Sequence, residues 1–176
     1  MMNVIMYLMI LLVLFVLLLA GCTTKNEVIT MDTLEVASPA FENNGFIPAK
    51  YTCQGEDINP PLVIKNIPEG TKSLVLFVDD PDAPMGTWVH WVVWNINITG
   101  EIKEDTIPGV QGMNDFGRLN YGGPCPPSGV HRYFFKVYAL DCLLDLPEGS
   151  SKKDVESAMQ GHVLASGQLV GRYGKS

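Results

Sequence analysis

Residues 78–96 read VDDPDAPMGTWVHWVVWNI. Two runs of apolar residues flank a short segment of acids and prolines, which is the pattern of two strands joined by a turn. Side chains of a strand alternate between its two faces, so Trp88, His90 and Val92 are predicted to share one face. An imidazole is therefore expected at the edge of a hydrophobic sheet.

Acids and a second histidine accompany this imidazole. Asp80 and Asp82 have the same parity at the end of the first strand, although the prolines around them end that strand. In the stretch SGVHRYFFKVYAL, residues 128–140, alternation places His131 and Tyr133 on one face of another strand. A lone histidine in a strand is most often a hydrogen-bonded core residue. Two of the three histidines, however, open strands beside loops rich in proline and glycine.

This combination suits a small anion. A carboxylate beside an imidazole favours the protonated cation, and a glycine-rich loop offers backbone N–H groups to phosphate or carboxylate. Asp80 is then interpreted as the acceptor that orients an imidazole N–H, and not as a ligand of the anion.

The length and charge of the chain narrow the class of protein. The 176 residues suit one domain, since they contain no internal repeat or low-complexity linker. The net charge is −7 and the sequence pI is about 4.8, with no cluster of Lys and Arg. Nucleic-acid binding needs a basic face, so the sequence argues against it.

The N-terminal segment is predicted to be a lipoprotein-type signal peptide, residues 1–21. An apolar run from Val4 to Ala20 ends in Leu-Ala-Gly-Cys, which resembles the lipobox of bacterial lipoproteins. Cys22 is then the lipidated residue, residues 22–32 form a tether, and residues 33–176 form an exported, membrane-anchored domain. The alternative is an uncleaved anchor helix, because about 17 apolar residues approach the length that spans a bilayer.

The rest of the chain reads as short strands separated by turns. The predicted strands are 33–37, 62–65, 73–79, 88–96, 132–140 and a last one within 164–174. Residues 97–130 form a long irregular stretch, which inside a compact domain is usually functional. Ser151 and Asp154 resemble a capping box, followed at helical spacing by apolar positions that extend to His162 and Val163.

Several long motifs in order resemble the phosphatidylethanolamine-binding protein family, also called Raf kinase inhibitor protein-like, in its bacterial and archaeal YbhB/YbcL-type branch. They are YTCQGEDINPPL, PEGTKSLVLFVDDPDAP, NDFGRLNYGGPCPPSGVHRYFFKVYALD and GHVLASGQLVGRYG. The resemblance extends from about Leu34 to Lys175. It implies a mainly β fold in which a large antiparallel sheet packs on a smaller sheet, with a C-terminal helix.

The resemblance also implies a surface pocket for a small anion or a lipid headgroup. The ligand-binding positions that it carries over are Asp80, Asp82, Trp88, His90, Gly123, Pro126, His131 and Tyr133. By alternation Arg132 faces away, as a structural ion-pair partner. The resemblance places Cys53 and Cys125 near the pocket, where they form a disulfide or remain two small buried thiols.

Family members are described as lipid-headgroup binders, kinase-pathway regulators and peptidase inhibitors. Export favours ligand binding, or inhibition of an extracytoplasmic peptidase, and we expect neither turnover nor a cofactor. Two enzymatic alternatives stay open. A metal site is the first, with Asp80, Asp82, His90 and His131 as ligands. The second is a hydrolase with Ser128 as its nucleophile, although no G-x-S-x-G motif is present.

Overall fold

The computed structural model describes residues 32–175. The predicted signal peptide, its lipidation site Cys22 and all but the last residue of the predicted tether lie outside this range. In the described residues, no helix has the length and apolar character needed to cross a bilayer.

A seven-stranded sheet forms the larger layer. Its strands are β1 (Asp32–Thr33), β3 (Gly45–Phe46), β5 (Ser73–Asp80), β6 (Trp88–Ile96), β8 (Val110–Gln111), β9 (Val130–Leu140) and β10 (Val163–Gly174). The order is β1-β10-β9-β5-β6-β8, with β3 also pairing with β10. The central strands are antiparallel, whereas the short β1 and β3 run parallel to β10.

A smaller sheet packs on one face of the larger one. It contains β2 (Glu35–Ala37), β4 (Leu62–Lys65) and β7 (Glu101–Ile102), paired antiparallel in the order β2-β4-β7. Val36 and Ile64 of this sheet join Val78, Trp91 and Phe135 of the larger sheet in one buried core. The predicted mainly β architecture with a large and a small sheet is therefore confirmed.

The opposite face of the large sheet is covered by a helix and its flanking loop. The helix α1 (Lys152–Ala158) contributes Val155, and Leu144 precedes it, in a second core with Phe77 and Trp94. Both faces of β5 are thus covered, and all eight of its residues are buried. This explains why β5 reads as an almost continuous apolar run instead of an alternating one.

A β-bulge in β6 changes the predicted facing of its side chains. Val89 pairs with Asp79 and Trp91 pairs with Val78, so His90 is the extra residue between two pairs of the ladder. Beyond the bulge the parity reverses, and Val92 lies in the core under the helix. The prediction that Val92 shares a face with Trp88 and His90 is therefore wrong.

The predicted capping box opens α1, but the helix is shorter than its apolar pattern suggested. Ser151 Oγ accepts the Asp154 N–H at 3.3 Å, and Asp154 Oδ2 accepts the Ser151 N–H at 2.9 Å. The helix ends at Ala158, and Gly161 adopts a φ of 81°. His162 therefore lies in a turn, and Val163 begins the last strand instead of ending the helix.

Candidate functional site

The edge of the large sheet where β5 ends and β9 begins holds a buried acid–imidazole pair. Asp80 Oδ2 accepts the His131 Nδ1 proton at 2.7 Å, and Asp80 Oδ1 accepts the Asp82 N–H at 2.9 Å. The two side chains are 5% and 10% exposed. Since a carboxylate can only accept here, the proton of His131 lies on Nδ1 and Nε2 is left for a ligand. Asp80 thus occupies the orienting position that the sequence predicted.

Asp82 does not line the pocket, contrary to its predicted ligand-binding place. Its carboxylate makes a bidentate pair with Arg132, with 2.9 Å from Nε to Oδ2 and 2.7 Å from Nη2 to Oδ1. It also accepts the Arg132 backbone N–H at 2.9 Å. The Arg132 guanidinium lowers the pKa of Asp82 to about 2. Arg132 is thereby confirmed as an ion-pair partner. Through these bonds Asp82 links the turn between β5 and β6 to the start of β9.

His90 is held by the loop that follows β8. Its Nδ1 lies 2.6 Å from the Gly122 carbonyl oxygen, which can only accept, so the proton lies on Nδ1. The residue is 3% exposed, and burial lowers the pKa of His90 below its ordinary value of 6.5. The neutral ring therefore offers a lone pair at Nε2 near neutral pH. It offers a second N–H only after protonation in acid.

Aromatic rings surround His90 and bring two unpartnered donors to it. The Tyr133 ring lies 5.2 Å from the His90 ring, and Phe116 lies 5.2 Å from His90 and 5.4 Å from Trp88. Among the described residues, the buried Trp88 Nε1 and Tyr133 Oη have no hydrogen-bond partner. Burial, and then the charge of Asp80, raise the pKa of Tyr133, so its hydroxyl remains protonated. The surroundings of His90 thus contain two donors without an acceptor.

These side chains border a cavity of about 200 Å³. The residues that line it are Asp80, Ala83, Pro84, Trp88, His90, Phe116, Cys125, Pro126 and Pro127. Pockets for drug-sized ligands usually measure roughly 300–1,000 Å³, so this one suits a small ion or headgroup. Four predicted positions, Asp80, Trp88, His90 and Pro126, line the cavity directly. His131 and Tyr133 contact two of these lining residues, Asp80 and His90 respectively.

The glycine-rich loop has a different role from the one predicted. The Gly123 N–H donates to Asp57 Oδ1 at 2.7 Å, and the Gly122 N–H donates to the His90 carbonyl at 3.1 Å. Neither group is free for an anion, and Gly123 does not line the cavity. A Cβ on Gly123 would lie 2.5 Å from that Asp57 oxygen and 2.7 Å from the Tyr51 carbonyl oxygen. Glycine is needed here for close packing.

A disulfide joins Cys53 to Cys125 in this loop. Their Cα atoms are 5.4 Å apart, within the usual range for a disulfide. The Cys53 N–H also donates to the Pro124 carbonyl at 3.2 Å. Since Cys125 lines the cavity, the bridge ties one cavity wall to the segment that follows the short 3₁₀ turn Ala49–Tyr51.

The geometry supports neither the metal site nor the Ser128 hydrolase that the sequence left open. In the described part of the chain, no three of Asp80, Asp82, His90 and His131 bring ligand atoms within 4.8 Å of one another. Within residues 32–175, no side-chain hydrogen bond joins Ser128 to a histidine; His131 Nδ1 is bonded to Asp80 instead.

A second cavity, of about 260 Å³, is unsuited to anions. It contains the carboxylates of Asp57 and Asp105, and none of the described residues that line it is basic.

Phe116 is the aromatic lining residue that the sequence patterns did not predict. The other lining residues outside the predicted set are Ala83, Pro84 and Pro127. Phe116 lies in the irregular stretch, where Asn114 Oδ1 accepts the N–H groups of Phe116 and Arg118 at 3.1 and 3.0 Å. Asn114 Nδ2 donates to the His90 carbonyl at 3.3 Å. An asparagine followed by Asp-Phe-Gly signals such a turn, but which strand the turn packs against depends on long-range contacts.

Comparisons with known proteins give one consistent family. The model of the family described as phosphatidylethanolamine-binding protein matches residues 37–174. A UPF0098 protein of Pyrococcus horikoshii is 53% identical over 169 residues, covering 90% of this chain and 84% of the relative. A UPF0098 protein of Chlamydia trachomatis is 43% identical over 149 residues, covering 81% of this chain and 99% of the relative.

Solved structures agree with these relatives. A phosphatidylethanolamine-binding protein homologue from Chlamydia trachomatis aligns with a TM-score of 0.79 at 42% identity, covering 82% of this chain and 99% of the other. YbcL of E. coli, a member of the mammalian PEBP family, aligns with a TM-score of 0.75 at 31% identity. The alignment covers 81% of this chain and 99% of YbcL. A carboxypeptidase Y inhibitor in complex with its proteinase aligns at 0.52 with 16% identity, covering 83% and 84%, a likeness of fold alone.

Proposed function

Since the chain belongs to the phosphatidylethanolamine-binding protein family, we propose that it binds a small phosphate-like or carboxylate anion in the cavity beside His90. One observation carries this proposal: Trp88 lines the cavity, and its buried Nε1 is a donor without a partner among the described residues. A buried donor left without an acceptor costs about 1–3 kcal/mol. The charged oxygens of phosphate and of a carboxylate are strong acceptors, so such an anion is the class of ligand that this donor favours.

At neutral pH, His90 supplies a positive charge only when an anion is bound. A neutral His90 offers no N–H from Nε2, but its protonated form offers one together with a positive charge. Because burial lowers the pKa of His90 below 6.5, the empty site is uncharged at this residue at neutral pH. An anion favours the protonated form, so binding takes up a proton and is strengthened as the pH falls. A phosphate or carboxylate on a lipid headgroup presents the same anionic oxygens as the free ion, so the cavity would bind it by the same hydrogen bonds.

We expect His90→Ala and His131→Ala each to weaken the binding of inorganic phosphate, phosphoethanolamine and acetate at least about tenfold, because a hydrogen bond to a charged group contributes roughly 1.5–3 kcal/mol. Isothermal calorimetry measures this. A series with sulfate, which keeps its charge in weak acid, is expected to show tighter binding to the wild type as the pH falls below 6.5, and a much smaller change for His90→Ala.

Lys65→Ala is the matched control. Lys65 forms an exposed pair with Glu35 on the small sheet, with an Nζ to Oε1 distance of 2.8 Å. Its loss removes one positive charge far from the cavity and should leave the affinity unchanged. Equal affinities for the wild type and both histidine variants would show that the cavity is not the anion site.

Binding without turnover is the activity that we propose. The cavity is lined by the Trp88 donor and by His90, but its described lining contains no serine, threonine or lysine that could act as a nucleophile. Disulfide-bonded Cys125 has no thiol. Inhibition of an extracytoplasmic peptidase and regulation of a partner protein remain secondary proposals. The carboxypeptidase Y inhibitor, at 16% identity, shares only the fold with this chain.

Attachment to a membrane through Cys22 is the second part of the proposal. Leu-Ala-Gly-Cys at residues 19–22 supports it, and two acyl chains at roughly 0.8 kcal/mol per buried CH₂ give lasting anchorage. In cells fed labelled fatty acid, the wild type should carry the label and Cys22→Ser should not. Absence of label from the wild type would favour the uncleaved anchor helix.

A further inference from the structure

A second cluster of reactive side chains lies at the opposite end of β9 from His131. Asp141 and Cys142 follow the last residue of β9, and His162 directly precedes β10. One ligand atom from each of these three residues lies within 4.8 Å of the other two. None of the three lines the anion cavity. In the described residues this is the only such group of three or more metal-ligating side chains.

The backbone holds the three residues in place before any ligand arrives. The Asp141 N–H donates to the His162 carbonyl at 3.1 Å, and the Ser73 hydroxyl donates to the Cys142 carbonyl at 2.5 Å. Asp141 Oδ1 and His162 Nδ1 already lie 2.8 Å apart. The side chains of Asp141 and His162 are each 47% exposed, so an ion can reach them from solvent.

We propose that Asp141, Cys142 and His162 form a binding site for Zn²⁺. A carboxylate oxygen, a thiolate sulfur and an imidazole nitrogen are the three ligand types that zinc takes in proteins, with bonds of about 2.0–2.3 Å. Calcium and magnesium take oxygen ligands, so a thiolate and an imidazole select against both. With bonds of this length in a tetrahedral arrangement, the 2.8 Å between Asp141 Oδ1 and His162 Nδ1 must widen on binding, which exposed side chains achieve by rotation. Three protein ligands leave a fourth tetrahedral position for water or another ligand.

On binding, the Cys142 thiol loses its proton to solvent and its sulfur bonds to the ion. The His162 proton that faces Asp141 Oδ1 moves from Nδ1 to Nε2 through solvent, and the freed Nδ1 lone pair and the Asp141 oxygen then bind the metal in place of their hydrogen bond. No electron is transferred, and the ion remains Zn²⁺ throughout. The bound sulfur is expected to be protected from alkylation, because its lone pair is engaged.

Calorimetry with Zn²⁺ and the full chain tests the site. We expect one tightly bound ion per wild-type chain, and Cys142→Ser and His162→Ala each to bind at least about tenfold more weakly, since loss of even an outer-shell partner costs roughly 10–100-fold. The control Glu42→Gln removes an exposed carboxylate beside the far end of β10 and should bind as the wild type does.

Alkylation mapped by mass spectrometry is the second readout, and it separates Cys142 from Cys22. Zinc should slow labelling of the Cys142 peptide in the wild type and in Glu42→Gln, but not in His162→Ala. Unchanged labelling of Cys142 in the wild type with zinc present, or equal zinc affinity in Cys142→Ser, would overturn the proposal. Because anion binding does not involve these residues, neither result bears on the cavity beside His90.

Discussion

Replacing both Cys53 and Cys125 with serine is expected to lower the free energy of unfolding by about 4 kcal/mol. The bridge spans 72 residues, and in the chain-entropy model closing so long a loop restricts the unfolded chain by this amount. At roughly 2–4 °C per kcal/mol for a domain of this size, the melting temperature should fall by about 8–16 °C. Circular dichroism of the oxidised wild type and the double variant measures the difference.

Two controls separate the bridge from the loss of two side chains. Reduction should destabilise the wild type by a similar amount and leave the double variant unchanged. Cys142→Ser, which removes the free thiol, should melt near the wild type. Non-reducing peptide mapping must also recover one linked pair containing Cys53 and Cys125. A double variant as stable as the wild type would mean that the bridge does not constrain the fold.

Asp80→Ala is expected to cost about 3 kcal/mol of stability and to abolish measurable anion binding. Its carboxylate accepts from His131 Nδ1 and from the Asp82 N–H while almost fully buried. Removing one partner of a buried pair leaves the other without compensation, which costs roughly 3–5 kcal/mol. The freed imidazole also loses the orientation that presents Nε2. Denaturant unfolding and calorimetry with phosphate measure the two effects.

Asp141→Ala provides a matched comparison, measured with a metal chelator present. This variant also removes a carboxylate that is paired with a histidine Nδ1, since Asp141 Oδ1 lies 2.8 Å from His162 Nδ1. Here, however, both side chains are 47% exposed. Exposed pairs contribute about 0–1 kcal/mol, so this variant should unfold near the wild type. Asp80→Asn keeps an acceptor for His131 and should recover most of the lost stability. If the two alanine variants were equally destabilised, burial of the Asp80 pair would not be what stabilises this edge.

Most of the central fold could be predicted from local patterns. Strands 62–65 and 88–96 have the predicted bounds, and β5 extends one residue further than expected. Ser151 begins its helix as predicted, because a capping box is a local signal. The short strands β7 and β8 were missed inside the irregular stretch, since two-residue strands depend on their partners more than on their own sequence.

The candidate site could be predicted only in part. The role of Asp80 as the acceptor of an imidazole N–H could be predicted from the chemistry of an acid beside an imidazole, but the choice of His131 over His90 as its partner could not. The reversal at Val92 required the bulge at His90, which alternation cannot detect. The hydrogen bond from the Gly123 N–H to Asp57 joins residues that are 66 positions apart in the sequence. The ion pair between Asp82 and Arg132 similarly joins residues that are 50 positions apart. Such contacts depend on how the strands are arranged, which no short stretch of sequence reports.

The most direct test of the central claim is a nitrogen-15 spectrum of the imidazole side chains during titration with inorganic phosphate at about pH 6, where histidines change charge. The chain has three histidines: His90 lines the cavity, His131 is bonded to the lining residue Asp80, and His162 contacts none of the lining residues through a side-chain hydrogen bond. We predict saturable shifts at Nε2 of His90 and His131 toward the values of a protonated, hydrogen-bonded nitrogen, with His162 unchanged in the presence of a metal chelator. A saturated titration without a shift at His90, or with equal shifts at all three rings, would contradict the account.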